Sequence, residues 1–210
     1  MRRSILAVGA MAAATLFASG SGTAQRPTLK SDQALRDGGV SMPPGGWIDY
    51  CARTASDPAC RPMRKPDPRP GDVVPLDDAR WAEVKRIHAE LAKIEQTDET
   101  RMDDRWTVAR TSGDCEDIAL AGREKLLAAG FPRRAVRLAT ALTEDGDRHV
   151  VVTLDGIRAE KLDTFVLDNR SARVTSWRTL ENGGYRFLTR QAPSGPYWVS
   201  LKGPDGKRLS

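Results

Sequence analysis

Gly113-Asp114-Cys115-Glu116-Asp117-Ile118-Ala119-Leu120 opens the segment on which the reading of this chain turns. Thr111 and Ser112 precede it, and the apolar run continues to Leu126-Leu127 before stopping at Gly130, with Pro132 just beyond. An aspartate ahead of such a run and a glycine after its last turn are helix start and stop signals. A helix is therefore expected from Cys115 to about Ala129, with Asp114 as its N-cap. Cys115 then stands in the first turn, where backbone N–H groups lack acceptors and the helix dipole favours a thiolate. An ordinary buried cysteine with acids decorating a helix start would look the same locally. The rest of the chain decides between the two.

Beyond Pro132 the hydrophobic pattern changes from helical to strand-like. Val136 to Leu142 reads as a strand, Glu144-Asp145-Gly146-Asp147 supplies an Asp-Gly turn, and His149 to Leu154 returns. Asp163 to Asp168, Tyr185 to Thr189 and Tyr197 to Leu201 follow as further strands. Upstream, Asp77 or Asp78 caps a helix on which Trp81, Val84, Ile87, Leu91 and Ile94 form one stripe. His88 lies beside that stripe and reads as a flanking, half-exposed helix residue. Asp57 to Pro75 holds six prolines and is extended loop, and 96–112 is polar loop with Trp106 as its one large apolar side chain. Helices come first and an antiparallel sheet second, so the expected class is α+β, with N-terminal helices packed on an antiparallel sheet.

With 210 residues, 29% of them charged and 6% aromatic, the chain has material for one domain with a real core and no disorder signature. Arg2-Arg3, the apolar run Ile5 to Phe17 and the small residues ending Gly22-Thr23-Ala24 follow the order of a secretory signal peptide, placed at residues 1–24. No twin-arginine pattern completes the two arginines, so Sec export is expected, and the run is too short for a permanent anchor. Residues 25–45 read as a flexible lead-in and 46–205 as the folded domain. Removing Arg2 and Arg3 lowers the formal charge from +5 to +3 (5 − 2). Scattered basic residues without interleaved aromatics argue against a nucleic-acid partner.

Three cysteines in an exported chain invite arithmetic. Cys51 and Cys60 stand nine residues apart in a loop segment and should pair in an oxidising compartment, which the chain-entropy estimate values at roughly 2–3 kcal/mol. Cys115 is left as a free thiol where spare thiols are a liability. A nucleophilic cysteine needs a base and a group to orient that base. His149 starts an apolar strand directly after a turn, and Asp168 closes the next clear strand, so adjacent strands can set them side by side. A helix N-terminus packed on that sheet can present Cys115 to the imidazole.

The acids around Cys115 oppose this. Each carboxylate, at roughly 7 Å and an effective dielectric near 40, costs about 1 kcal/mol of thiolate stability. A cation held by Asp114, Glu116 and Asp117 would resolve the conflict, and hard oxygen ligands suit calcium. Carboxylates that merely complement a helix N-terminus fit the same residues equally well. Zinc finds no ligand set, since the two histidines are far apart in sequence.

Gly113-Asp114-Cys115-Glu116-Asp117, His149-Val150-Val151-Val152 and Val166-Leu167-Asp168-Asn169 together resemble the bacterial transglutaminase-like cysteine peptidases. Gly46-Trp47-Ile48-Asp49-Tyr50-Cys51-Ala52-Arg53, Arg80-Trp81, Ala129-Gly130-Phe131-Pro132 and Tyr185 with Arg190-Gln191 extend the likeness over roughly residues 45 to 200. The resemblance implies a papain-like/transglutaminase-like fold, a Cys115–His149–Asp168 triad and a periplasmic location. In one branch of the family it also implies calcium held by acids around the nucleophile, a large surface adhesin as substrate and an inner-membrane regulatory protein as partner. Ile118 stands where the family usually has an aromatic and Arg148 where it often has glycine, departures that bear on the substrate. Two rivals share the same residues: acyl transfer to amines, and a non-catalytic module binding a peptide or wall component. An intact Cys/His/Asp set favours catalysis, because a binder needs none of the three together.

Overall fold

The seven residues Val136–Leu142 (β6) and the eleven Arg148–Arg158 (β7) pair antiparallel along their shared length, from Val136 opposite Leu154 to Leu142 opposite Arg148. Gly146, at φ +86°, turns the chain between them. The computed structural model describes residues 29–62, 72–97 and 104–209; the expected signal peptide at 1–24 lies outside them, as do Pro66 to Pro70.

In chain order the described elements are β1 (Ser31–Asp32), β2 (Arg36–Ser41), α1 (Gly45–Arg53), a 3-10 turn at Pro58–Cys60, β3 (Val74–Pro75), α2 (Asp78–Leu91), β4 (Glu95–Gln96), β5 (Ser112–Gly113) and α3 (Cys115–Ala128). After β6 and β7 come β8 (Lys161–Leu167), β9 (Thr175–Ser176), α4 (Trp177–Asn182), β10 (Arg186–Gln191) and β11 (Trp198–Lys202). The main sheet runs β1-β8-β7-β6-β10-β11-β2, with β3 added beside β7 and β9 beside β8. Its long strands pair antiparallel, and only the two-residue β1 and β3 pair parallel within it. The α+β class is as expected.

Alternate residues of β6 and β7 enter different cores, which is the two-residue period of a strand. Leu138, Val150, Val152 and Leu154 face α1, α2 and α3, together with Trp47, Ile87, Leu91, Ile118 and Leu126. Ala139, Ala141 and Val151 join Leu35, Trp177, Phe187 and Leu201 in the second core. Both faces of the sheet centre are therefore covered, which is why Val150-Val151-Val152 reads as an unbroken apolar run. Each of these fully buried large side chains contributes about 1.5–3 kcal/mol.

Helix α3 ends as its sequence dictates. Gly130, at φ +80°, lets the Phe131 amide donate to the Leu126 carbonyl at 3.1 Å and its own amide to Leu127 at 3.0 Å. Gly122 sits where α2, α3 and β7 meet. A Cβ there would lie 2.7 Å from Leu91 Cδ1 and 3.1 Å from Val152 Cγ2, so only glycine allows this approach.

The lead-in differs from expectation. Within 29–45, β1 pairs with β8 and β2 closes the far edge of the sheet on β11. Asp37 of β2 also accepts from Arg137 and Arg190, at 2.8 and 2.7 Å, which ties this stretch to the centre of the fold. Gly38-Gly39 and Pro43-Pro44 hide these strands from a reading by composition. Helices α1 and α4 are likewise additions to the expected set, the first beginning Gly45-Gly46 and the second only six residues long.

Candidate active site

Asp114 caps α3: its carboxylate accepts from the Asp117 amide at 3.4 Å and its carbonyl from Ile118 at 3.0 Å. Cys115 is the first helical residue and is half-buried. Cys51 and Cys60 are bonded to each other with an S–S distance of 2.03 Å, leaving Cys115 as the free thiol.

His149 and Asp168 lie together. Strand β7 carries the histidine near its start and the chain leaving β8 carries the aspartate, so the β7–β8 pairing sets them side by side. His149 Nε2 lies 2.8 Å from Asp168 Oδ1, and both residues are buried. The aspartate is further held by the Arg170 amide at 2.9 Å on Oδ1 and by the Tyr185 hydroxyl at 2.8 Å on Oδ2. Burial alone would raise the Asp168 carboxyl. The hydrogen bond and charge of His149, the Arg170 amide and the Tyr185 hydroxyl outweigh it and hold the group below the usual carboxylate range. The Tyr185 ring also stands edge-on to the imidazole, with centroids 6.1 Å apart.

His88 departs from its reading as a half-exposed flanking residue. It is 4% exposed, and its Nε2 lies 3.1 Å from the Asp168 carbonyl oxygen. Helix α2 thus braces the same aspartate from behind. The contact spans 80 positions of sequence, and no local pattern announces it.

The thiol is placed differently from the other two. Cys115 Sγ donates to Glu116 Oε2 at 3.0 Å and accepts from the backbone amide of Val150, the residue after His149. The end of α3 therefore rests against the start of β7. Among the described residues the imidazole is not a hydrogen-bond partner of the sulfur, so the structure joins His149 to Asp168 but directs the thiol proton to Glu116. Burial first, then the Glu116 and Asp114 carboxylates, push the Cys115 thiol up, against a lowering by the Val150 amide.

Glu116 is itself strained electrostatically. Burial, the Asp114 charge and a hydrogen bond with Asp104 push it up to about 8, although the Cys115 S–H and its own amide act the other way. Two carboxylates in hydrogen-bond contact need a proton or a cation between them. Asp104 is the acid that sequence reasoning missed, since it lies in a polar stretch without periodicity. It also accepts from the Trp106 indole N–H at 2.7 Å. That bond engages the indole N–H, and the ring packs edge-on against Trp47 and Trp198.

Asp117 points another way. Its two carboxylate oxygens accept from the Thr107 amide at 2.6 Å and the Thr107 hydroxyl at 3.1 Å, and it is 5% exposed. Asp114, Glu116 and Asp117 do not form a ready-made ligand cage. Among the described residues no three His, Cys, Asp or Glu side chains converge in that way.

The family described as bacterial transglutaminase-like cysteine proteinase (BTLCP) matches residues 37–206. Calcium-bound LapG of Legionella pneumophila is similar in structure, at 16% identity and a TM-score of 0.48, over 56% of this chain and 67% of that one. EGTA-treated LapG of the same organism is similar at 14% identity and a TM-score of 0.45, over 59% of this chain and 72% of that one. No curated protein sequence matches.

Proposed function

The chain belongs to the bacterial transglutaminase-like cysteine proteinases and is a cysteine peptidase, and from that premise we propose an exported thiol protease whose triad is Cys115, His149 and Asp168. The observation that carries this assignment is the buried 2.8 Å bond between His149 Nε2 and Asp168 Oδ1, beside the one free cysteine of the described chain. With Nε2–H donating to the carboxylate, Nδ1 is the nitrogen left to take a proton.

In the reading we favour, the Cys115 thiol turns from Glu116, passes its proton to His149 Nδ1, and the thiolate attacks the peptide carbonyl. Asp168, held ionised by its three donors, orients the ring and stabilises the imidazolium, which then protonates the leaving amine. Water, deprotonated by the same imidazole, attacks the thioester and restores the thiol. The Cys115 amide in the first turn of α3 supports the oxyanion, since helix-start amides lack intrahelical acceptors.

A calcium ion is the cation we propose for the acids around the thiol: burial, Asp114 and Asp104 all act on Glu116 and push it up to about 8, although among the described residues no three such side chains converge as a ready-made set. Those three would hold it, with Asp117 building the loop through Thr107. When bound, the ion supplies the positive charge that lets these carboxylates ionise without raising the neighbouring thiol further. That one solved LapG structure is described as calcium-bound and another as EGTA-treated supports the choice of metal. The signal-like residues 1–24 support export to the periplasm, and a large surface adhesin, with an inner-membrane regulator, is the substrate setting we propose.

The test is a digest of the cell-envelope fraction by the purified protein and by Cys115→Ala, with new N-termini labelled and sequenced. Neo-termini made by the wild type alone, concentrated on a large surface protein, support the reading. Incorporation of a labelled amine without new termini would replace it by acyl transfer.

A further inference from the structure

Six buried side-chain polar atoms lack a hydrogen-bond partner among the described residues, and four of them line one cavity. They are Arg123 Nε of α3, Arg137 Nε of β6, Gln191 Nε2 at the end of β10 and Ser194 Oγ in the turn before β11. The cavity measures about 10 Å³, room for a single water-sized sphere, and Arg133 also borders it. Arg123, Arg137 and Gln191 are 4%, 2% and 4% exposed, so bulk water does not satisfy these donors.

The orientation of Gln191 is fixed. Its Oε1 accepts from the Leu138 amide at 3.0 Å, which turns its NH2 to the cavity. Each guanidinium spends its terminal nitrogens elsewhere. Arg123 and Arg133 share Asp57 at 2.9 and 3.3 Å, while Arg137 and Arg190 share Asp37 and Asp155. The charges do not balance: four guanidiniums face three carboxylates, 4 − 3 = +1.

We propose that this cavity binds a small monovalent anion, chloride being the common one. Two features choose an anion over water. Arg123 Nε, Arg137 Nε and Gln191 Nε2 can only donate and Ser194 Oγ can donate as well, so the residues lining the cavity offer up to four donors, whereas a water oxygen accepts two hydrogen bonds. A unit negative charge also cancels the local excess, which lies in the group where Arg123 and the partly exposed Arg133 share the single carboxylate of Asp57. The site lies apart from the Cys115 thiol and staples four pieces of chain: α3, β6, the β10–β11 turn and the disulfide loop at Ala59.

The experiment measures melting temperature of the disulfide-intact protein as chloride replaces gluconate at fixed ionic strength, with calcium supplied as gluconate. The wild type should gain about 2–4 °C, the shift expected of a ligand that binds only the folded state of a chain this size. Gln191→Glu keeps the acceptor for Leu138 and sets a fixed carboxylate at the cavity, so its melting temperature should not respond to chloride. Bromide-soaked crystals of the wild type provide a reading independent of that variant. Anomalous density between Gln191 Nε2 and Arg137 Nε is expected. A wild-type melting temperature that follows ionic strength alone, or a bromide map empty at this cavity, overturns the proposal.

Discussion

The Cys115 thiol donates to the carboxylate of its own neighbour, Glu116, with Sγ and Oε2 3.0 Å apart. A thiol engaged in this way is held in its protonated form, because burial opposes the thiolate and so does the Glu116 charge once that carboxyl ionises, at about 8. The relationship makes Glu116 a brake on Cys115, the nucleophile we propose. It also explains how a helix start, ordinarily good for a thiolate, is reversed by the acids packed into it.

The brake should be removable. In chelator at about pH 9, where Glu116 is ionised, Glu116→Gln removes one charge from beside the thiol, so alkylation of Cys115 by iodoacetamide should run several-fold faster than in wild type under the same conditions. Added calcium should accelerate the wild type and leave the variant unchanged. The rate is read by mass spectrometry of the peptide containing residue 115, and equal rates in chelator would show that the hydrogen bond has no hold on the thiol.

Calcium should separate the acids into two classes. Asp104→Ala and Asp114→Ala should lose the calcium-dependent rise in melting temperature. Asp117→Ala should instead lower melting with or without calcium, since it deletes the hydrogen bonds to Thr107. That loss is about 2 kcal/mol or more, or roughly 4–8 °C for a chain of this size. A calcium response lost in Asp117→Ala and kept in Asp104→Ala would return Asp117 to the ligand set.

The support of the imidazole should be graded. Asp168→Asn should fold and lose on the order of 10²–10⁴ in kcat, because the wrong histidine tautomer is favoured. Tyr185→Phe deletes one hydrogen bond to the same carboxylate, about 1 kcal/mol, and should lose roughly fivefold. A Tyr185→Phe loss as deep as that of Asp168→Asn would mean that the hydroxyl itself touches substrate.

Acid should dismantle the buried pairs. Asp155 sits between Arg137 and Arg190; burial would raise it, but the two guanidiniums and the Thr164 hydroxyl hold it low. Its folded pKa is below its unfolded one, near 3.9, so its stabilisation is present above about pH 4 and is lost as pH falls through the folded value. Asp155→Asn leaves two buried guanidiniums short of a partner and should cost about 3–5 kcal/mol in urea unfolding at pH 7. A smaller acid-linked loss below pH 4 than in wild type should accompany it.

Much of this was legible in the sequence where local chemistry and tertiary need agree. Asp114 and Gly130 bound α3 because cap geometry is written in single residues, and Asp145-Gly146 turns β6 into β7 for the same reason. The pairing of His149 with Asp168 follows from strand order. What stayed hidden depends on distant partners. Gly38-Gly39 in β2 makes no strand by itself and is held by β11 and by two arginines. His88 is buried by the Asp168 carbonyl, and Asp104 earns its place only through Glu116. The orientation of the Asp117 carboxylate is another such case: spacing puts it beside Glu116, but the fold gives its oxygens to Thr107.

The most direct measurement is the alkylation rate of Cys115 at neutral pH with calcium, compared between wild type and His149→Ala. If His149 takes the thiol proton, the wild type should react at least tenfold faster, and its pH–rate curve should show a shoulder below the ordinary thiol range that the variant lacks. Equal rates and superimposable pH curves would contradict the assignment of His149 as the base for Cys115.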